Sequence, residues 1–205
     1  MADLPILFSA PMVLALIDGR KKQTRRILKP QPVQPFSSII THNGIWATAD
    51  EDGDALDFLP VRYAVGDRLW VREAFAPVQG GVIYRADGER QPGACCGCMW
   101  RPSIHMPRLA SRLTLTVSDV RVQRLQEISE ADILDEGAPV DPSHRDTSQD
   151  GSNPVMCLSD RPWITQSPRA WFHRLWDSIN GPDAWDANPW VAAYTFDPEL
   201  RNIDA

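Results

Sequence analysis

The sequence lacks the features that would mark a membrane or exported protein. No apolar run approaches the roughly 20 residues of a membrane-spanning helix, and residues 1–5 hold no basic segment that leads into an apolar one. We therefore expect a cytoplasmic protein with no membrane partner. Internal repeats and coiled-coil heptads are also missing from the sequence, so neither a repeat architecture nor a long coiled coil is expected.

Cysteine is scarce, because the chain has only 4, and most of them are crowded into residues 95–98. In a reducing compartment such residues are thiols by default. Cys95 and Cys98 have the spacing of half a zinc site, which His105 or Cys157 could complete. A second Cys-x-x-Cys pair is absent from the sequence, so we expect no cofactor and keep a metal as the weaker alternative.

Positive charge is outnumbered, with 21 Lys and Arg against 27 Asp and Glu and a net charge of −6. Proteins that coat duplex nucleic acid usually carry the opposite balance, so long duplex DNA is not an expected partner. Basic residues cluster in one short run: Arg20, Lys21, Lys22, Arg25, Arg26 and Lys29. Such a patch on an acidic chain suits a small anionic ligand or a short nucleic acid. The alternative is that the run is only a solvated turn.

Long helices are not expected, because the 18 prolines are nearly twice the usual share of about 5%. Capping residues and periodicity instead predict helices near 10–18, 129–137 and 168–180, and strands near 24–28, 66–73, 82–85, 113–122 and 190–196. Turn-forming residues predict irregular chain over 30–62 and a long loop, a candidate lid, over 138–166. This mixture of short strands and short helices indicates a compact α+β barrel rather than a doubly wound sheet.

The residues at the end of the first predicted helix resemble a motif of the ASCH domains, which are relatives of the PUA fold. Gly19, Lys21, Thr24 and Arg26 follow the family pattern Gly-x-Lys-x-x-(Thr/Ser)-x-Arg. Later segments are similar, in the same order, to the remaining elements of the family: the Gly-Asp turn at 66–67, the strand from residue 113, the helix over 129–136 and the strand over 190–196. Residues 100–107 and 185–190 resemble phage and prophage members in particular.

This resemblance implies a fold and a domain organisation. The chain would be a single PUA-like ASCH β-barrel domain over residues 1–205, with short flanking helices. Its core would comprise about 4–29, 63–75, 111–137 and 188–197. The additions to that core would be irregular insertions at about 30–62, 76–110 and 138–187.

The resemblance also implies an activity. Some small bacterial ASCH proteins are amidohydrolases that remove the acetyl group from acetylcytidine, and others are implicated in binding or cutting RNA. On that pattern Thr24 is the nucleophile, Lys21 is its activating base and Glu136 is a further acid–base group. The expected partner is a nucleoside or a short RNA.

The chemistry of the basic run is compatible with that activity. A threonine hydroxyl is a poor nucleophile unless a base lies within hydrogen-bond reach, and a lysine serves as that base only when burial or nearby positive charge lowers its pKa. Lys21 has positive neighbours, although Lys22 follows it directly and the spacing leaves open which amine faces the site. Strand alternation places Arg26 on the face of Thr24, where its guanidinium could hold an oxyanion, a carbonyl or a phosphate.

Glu136 closes the predicted helix over 129–136. The end of a helix carries partial negative charge, which disfavours a carboxylate and suits a residue that must donate a proton to a leaving amine. The plain alternative is a solvated residue in a last helical turn.

Further candidates for substrate binding are Lys22 and Arg25 in the basic run, Trp70 and Trp190 as stacking partners for a nucleobase, and His105. Core or rim packing is the more ordinary role for the two tryptophans, and a hydrogen-bonded structural role is an equal alternative for His105. The sequence thus predicts a hydrolase of a modified nucleoside. A non-catalytic RNA- or nucleotide-binding module of phage origin and a ribonuclease are the alternatives.

Overall fold

The computed structural model describes residues 1–33, 35–88, 99–139, 156–158 and 161–205. These residues form a mixed α/β protein in which strands outnumber helices, so the predicted α+β class is confirmed at that level. Within the described part of the chain, no helix is long and apolar enough to cross a membrane. The protein divides into two compact units: unit 1 is Met1–Lys22, Tyr63–Asp119 and Thr195–Ala205, and unit 2 is Gln23–Arg62 and Val120–Tyr194.

The strands, in chain order, are β1 (Asp3–Leu7), β2 (Gln23–Ile27), β3 (Ser38–His42), β4 (Ile45–Ala49), β5 (Ala55–Phe58), β6 (Arg68–Arg72), β7 (Phe75–Val78), β8 (Gly81–Tyr84), β9 (Thr114–Arg124), β10 (Met156–Leu158), β11 (Arg161–Gln166) and β12 (Trp190–Glu199). The helices are α1 (Ala10–Ile17), α2 (Glu130–Asp135) and α3 (Pro168–Asn180). One sheet has the order β1-β6-β9-β12-β2, and smaller sheets pair β3-β4-β5, β7-β8 and β10-β11. No closed barrel is found among these described strands.

In unit 1, the predicted Gly-Asp turn, Gly66-Asp67, directly precedes β6. Gly66 has a φ of 88°, a backbone conformation that glycine adopts without steric cost. The carboxylate of Asp67 accepts hydrogen bonds from the backbone N–H groups of Ala2 at 2.7 Å and Ala64 at 3.0 Å. The turn launches β6, which pairs in parallel with β1 and antiparallel with β9. The strand predicted after this turn is therefore confirmed.

Helix α1 is also confirmed, and its end sets the backbone position of Lys21. Ser9 is the N-cap and a proline occupies the first turn, where the missing N–H is tolerated. Gly19 reverses the chain with a φ of 71°. The backbone N–H of Lys21 then donates to the carbonyl of Ala15 at 2.9 Å. Residue 21 is thus tied to the last turn of the helix.

Unit 2 packs α2 and α3 around one apolar core. Ser167 caps α3 by accepting a hydrogen bond from the N–H of Ala170 at 3.2 Å, and Gly181 follows its last residue. The helix buries Phe172 and Trp176, which confirms the predicted amphipathic pattern. The core comprises Leu125, Ile128, Ile133, Ala138, Phe172, Trp176, Trp185 and Val191.

Two stretches predicted to be irregular contain strands. Residues 38–58 form the meander β3-β4-β5, with the two-residue turn Asn43-Gly44 between β3 and β4. Both turn residues have positive φ, 51° and 77°, as a type I′ hairpin requires. Part of the predicted loop over 138–166 is the hairpin β10-β11, whereas residues 140–155 and 159–160, where the lid was also predicted, lie outside the described residues. Strands β1 and β7 were not predicted.

Candidate functional site

Lys21 is fully buried within unit 1. Its exposed fraction is 0%, and its Nζ lies 5.6 Å from the centroid of the Phe8 ring. The Phe8 ring packs edge-on against Phe196 at 6.3 Å. Lys22, in contrast, is exposed. Of the two adjacent lysines, the first is therefore the one that the fold takes out of water.

The start of β2 is buried on both of its faces. Gln23, Thr24 and Arg25 are 2%, 4% and 5% exposed, although successive strand residues point to opposite faces. Arg26 is half-buried. The basic run is therefore not a solvated turn at these positions.

Arg25 is the centre of a buried ionic group in unit 2, here called the Arg25 cluster: Gln23, Arg25, Arg121, Asp132 and Glu136. Its side chain is fully buried, and its Nη1 donates to Oε1 of Glu136 at 3.1 Å. Its Nη2 lies 3.0 Å from Oδ2 of Asp132, as an ion-pair contact rather than an aligned hydrogen bond. One guanidinium thus contacts two carboxylates from the same helix.

Asp132 is held by several members of the Arg25 cluster. Arg121 Nη2 donates to its Oδ1 at 2.8 Å and Gln23 Nε2 donates to the same oxygen at 3.1 Å. A capping box with Ser129 fixes its position at the start of α2. Burial raises the pKa of Asp132, but the hydrogen bonds from Arg121 and Gln23 and the charges of Arg25 and Arg121 outweigh it and lower that pKa to about 2.

Glu136 is the C-cap residue of α2, as the sequence predicts. Its side chain is only 4% exposed, so it is not the solvated last-turn residue that the plain alternative describes. Its contact with Arg25 comes from β2, within the basic run and 111 residues away along the chain.

Trp190 begins β12 in unit 2 and is partly buried. Arg124 lies 4.6 Å from its ring centroid, and the Phe36 ring lies 5.7 Å away, tilted by 49°. Both backbone groups of Trp190 are bonded by one side chain, since Gln31 Nε2 donates to its carbonyl at 3.0 Å and its N–H donates to Gln31 Oε1 at 2.7 Å. The indole is therefore already flanked by a cation and a second aromatic ring.

Trp70 and His105 lie in unit 1. The Arg72 guanidinium lies 5.2 Å from the Trp70 ring centroid and donates to the carbonyl of Ile104. His105 is exposed. Cys95 and Cys98 lie outside the described residues, and among the described ones no group of three or more His, Cys, Asp or Glu is placed to hold a metal.

A second buried ionic group in unit 1 was missed by the sequence analysis. Glu73 is 1% exposed and accepts two hydrogen bonds from Arg112, from Nε at 2.8 Å and from Nη2 at 3.0 Å. Arg112 also pairs with Asp87 at 2.8 Å and lies 4.0 Å from the Tyr84 ring centroid. The sequence contains a signal for this group, because Glu73, directly after β6, continues the alternation of the buried Leu69 and Val71.

Burial raises the pKa of Glu73, the hydrogen bond and charge of Arg112 oppose that rise, and the charge of Asp87 adds to it. The two buried carboxyl groups, Glu73 and Asp132, therefore shift in opposite directions. Two differences explain this: Glu73 is the more deeply buried of the two, and Asp132 gathers hydrogen bonds from two side chains besides its ion pair with Arg25.

Comparisons of the chain with protein-family models, with curated proteins and with solved structures found no match. Arg25 and Glu136 are brought together in unit 2, to which Thr24 also belongs, and Lys21 is buried in unit 1.

Proposed function

We propose that this chain is an ASCH-type hydrolase, built on a PUA-like barrel, that cleaves an amide on a modified nucleoside of the acetylcytidine kind. Thr24 acts as the nucleophile, Lys21 as its base and Glu136 as the proton donor to the leaving amine. Arg26 holds the oxyanion that forms in between. Substrates of this class have no net charge at the amide, so binding does not require a basic protein surface.

The observation that carries this proposal is the complete burial of Lys21. Burial disfavours the charged form of an amine, and a lysine acts as a base only in its uncharged form. A lysine that only decorated a turn would keep its amine in water, as Lys22 does. The burial of Thr24 and Glu136 also supports a catalytic role, because general acid–base catalysis is strongest in sites from which water is excluded.

The proposed reaction balances in two halves. Thr24 Oγ1 attacks the acyl carbon while Lys21 Nζ takes its proton; the C–N bond then breaks and Glu136 protonates the departing amine. Water next attacks the acyl-threonine ester while the Glu136 carboxylate takes a proton from it. The C–O bond to Thr24 breaks, and Lys21 returns its proton to that oxygen. The products are the free nucleoside and the carboxylic acid.

The direct test is incubation of the purified protein with acetylcytidine and then with a panel of acylated nucleosides. Thr24→Val and Lys21→Met should each lower turnover by about a hundredfold or more, with Arg20→Met, an exposed neighbour paired with Asp18, as the matched control. No product from any substrate at high enzyme concentration would remove the assignment. A greater loss in Lys22→Met than in Lys21→Met would move the role of base to the exposed lysine.

A second candidate is a non-catalytic RNA- or nucleotide-binding module. The observation that favours it is the pair of tryptophan–arginine contacts, Trp70 with Arg72 and Trp190 with Arg124, since both side-chain types stack on bases. Binding dominated by phosphate contacts should weaken steeply as salt rises, and Thr24→Val should leave it intact. RNA cleavage, the third candidate, predicts cut products that disappear in Lys21→Ala.

A further inference from the structure

Strand β5 and the turn before it, residues 50–58 of unit 2, are here called the β5 edge. Within the described part of the chain, β5 pairs with β4 on one side and with no strand on the other. Every residue from 51 to 58 is exposed, including Leu56 at 50% and Phe58 at 76%. Scattered apolar residues are ordinary on a protein surface, but an exposed aromatic ring beside a second apolar side chain is typical of the centre of a protein interface.

The β5 edge carries negative charge that its neighbours in the sequence do not neutralise. No Lys or Arg occurs from residue 30 to residue 61, whereas the edge has five acidic residues: Asp50, Glu51, Asp52, Asp54 and Asp57. Among the described residues, none of these carboxylates takes part in an ion pair, and no group of three or more is placed to hold a metal. The edge therefore presents apolar side chains among unpaired anions.

Hydrogen bonds hold the β5 edge in place and leave two of its carboxylates available. Asp50 Oδ1 accepts from the backbone N–H groups of Asp52 at 3.1 Å and Asp54 at 2.8 Å. The backbone N–H of Asp57 donates to Thr48 Oγ1 on β4 at 3.1 Å. The side-chain oxygens of Asp54 and Asp57 accept no hydrogen bond from any described residue, so both can contact a partner.

The charge of the β5 edge determines which class of partner it can bind. Nucleic acids and anionic lipid surfaces are repelled by it. A second copy that paired through the same edge would bring Asp54 and Asp57 close to their own counterparts, and like charges on adjacent strands oppose such pairing. A protein segment with Lys or Arg next to apolar residues matches both the charge and the apolar side chains, and the carboxylates that attract it disfavour the other partners.

We propose that the β5 edge is a docking surface for a basic segment of another protein. Apolar side chains of that segment pack on Leu56 and Phe58, and its Lys or Arg residues pair with Asp54 and Asp57. Burial of the Phe58 ring provides most of the affinity, while the carboxylates select the partner and speed its association. No residue of the β5 edge takes part in the proposed hydrolysis, so the two proposals are independent.

The first test measures the binding of three labelled octapeptides by fluorescence anisotropy at about 0.15 M salt. One peptide alternates lysine with valine, one alternates glutamate with valine, and one alternates lysine with serine. The lysine–valine peptide should bind. Each of the other two should bind at least about tenfold more weakly, because one lacks the complementary charge and the other lacks the apolar side chains.

Variants of exposed residues then assign the binding to the β5 edge. Phe58→Ser should weaken the binding of the lysine–valine peptide by about tenfold or more. The double variant Asp54→Asn/Asp57→Asn should weaken it by about threefold or more and reduce its dependence on salt.

The matched controls are exposed residues elsewhere in unit 2. Ile179→Ser removes an apolar side chain that is 54% exposed, and Asp183→Asn/Asp186→Asn removes two exposed carboxylates. Both controls should bind the lysine–valine peptide within about twofold of wild type. An NMR titration of the wild type needs no variant to fold, and its largest amide shifts should lie within residues 50–58.

Several results would overturn the proposal. They are no binding of the lysine–valine peptide, equal binding of the glutamate–valine peptide, unchanged affinity in Phe58→Ser, or the largest amide shifts outside the β5 edge. A wild type that dimerises in analytical ultracentrifugation, with a Phe58→Ser variant that stays monomeric, would also overturn it, because a second copy would then be the occupant.

Discussion

Buried charges decide the chemistry of individual residues in this protein. Arg25 and Asp132 in unit 2, and Glu73 and Arg112 in unit 1, are ion pairs that the fold removes from water to different degrees. Desolvation penalises each charge, and only surrounding donors offset it. The pKa of a buried carboxyl therefore reflects the balance between its desolvation and the donors and charges around it.

The Asp132→Asn variant should be less stable than wild type by about 1–3 kcal/mol at neutral pH, because hydrogen bonds to a charged acceptor are lost. The lowered pKa of Asp132 contributes stability that is present above 3.8 and lost as the pH falls towards about 2. The difference in unfolding free energy between wild type and Asp132→Asn should therefore become smaller as the pH falls from 3.8 towards about 2. Urea unfolding at neutral pH and in steps down to this range measures it, and parallel curves would contradict the assignment.

The Glu73→Gln variant should show the opposite dependence of stability on pH. Because burial raises the pKa of Glu73 above 4.5 in the folded protein, stability from proton uptake is present below 4.5 and is lost as the pH rises through the raised value. Lowering the pH from neutral towards 4.5 should thus stabilise wild type relative to the variant. At neutral pH the two should differ by no more than about 1 kcal/mol, since Gln still accepts from Arg112, which keeps Asp87. Thermal melting across this range is the check.

Local signals explain which elements the sequence predicts. Helices α1 and α3 have a serine N-cap, an early proline and a terminal glycine, and β9 alternates apolar and polar residues. These signals need only neighbouring residues. The meander over 38–58 was missed because the prolines and acidic residues around it outweighed Asn43-Gly44, which is a strong hairpin signal. Strand β1 is short and contains a proline, so its own sequence does not indicate a strand. It forms because it pairs with β6.

Two of the serine N-caps, Ser129 and Ser9, provide a matched pair of variants. Ser129 Oγ accepts from the N–H of Asp132 at 3.1 Å, whereas Ser9 makes no side-chain cap hydrogen bond. Ser129→Ala should therefore cost about 1 kcal/mol of unfolding free energy, and Ser9→Ala only a few tenths. Urea unfolding of both variants tests this difference. An equal cost would show that the Ser129 hydrogen bond adds nothing.

The hairpin turn offers a second matched pair. Gly44 has a φ of 77° and open space where the methyl group of an alanine would lie, while Gly81 has comparable space but no positive φ. Gly44→Ala should thus cost about 1–2 kcal/mol from backbone strain alone, and Gly81→Ala should be close to neutral. Chemical denaturation distinguishes them, and a neutral Gly44→Ala would contradict the left-handed turn.

At the scale of the whole molecule, the charge can be counted from the sequence, but the burial of the charged residues cannot. The net charge of −6 and the single basic run are visible in the sequence, but the run reads there as a solvated turn. Its burial depends on carboxylates more than 100 residues away, such as Glu136 for Arg25. Contacts of that separation carry no local signal, so the candidate residues were predicted and the Arg25 cluster was not.

The net negative charge also predicts that long duplex DNA is not bound. Because 27 acidic residues outnumber 21 basic ones, the protein should not bind a long DNA duplex at physiological salt. Fluorescence anisotropy with labelled duplex is the measurement. Tight, salt-sensitive binding would contradict this expectation.

One side chain completes the hydrogen bonding at the start of a strand. The amide of Gln31 bonds both backbone groups of Trp190, so it imitates the peptide of a neighbouring strand at the first residue of β12. This strand lies between β9 and β2 in the sheet, and β2 ends at Ile27, although the N–H of Leu28 still donates to the Trp190 carbonyl at 3.1 Å. Gln31 thus supplies the Trp190 N–H with an acceptor beyond the point where β2 ends.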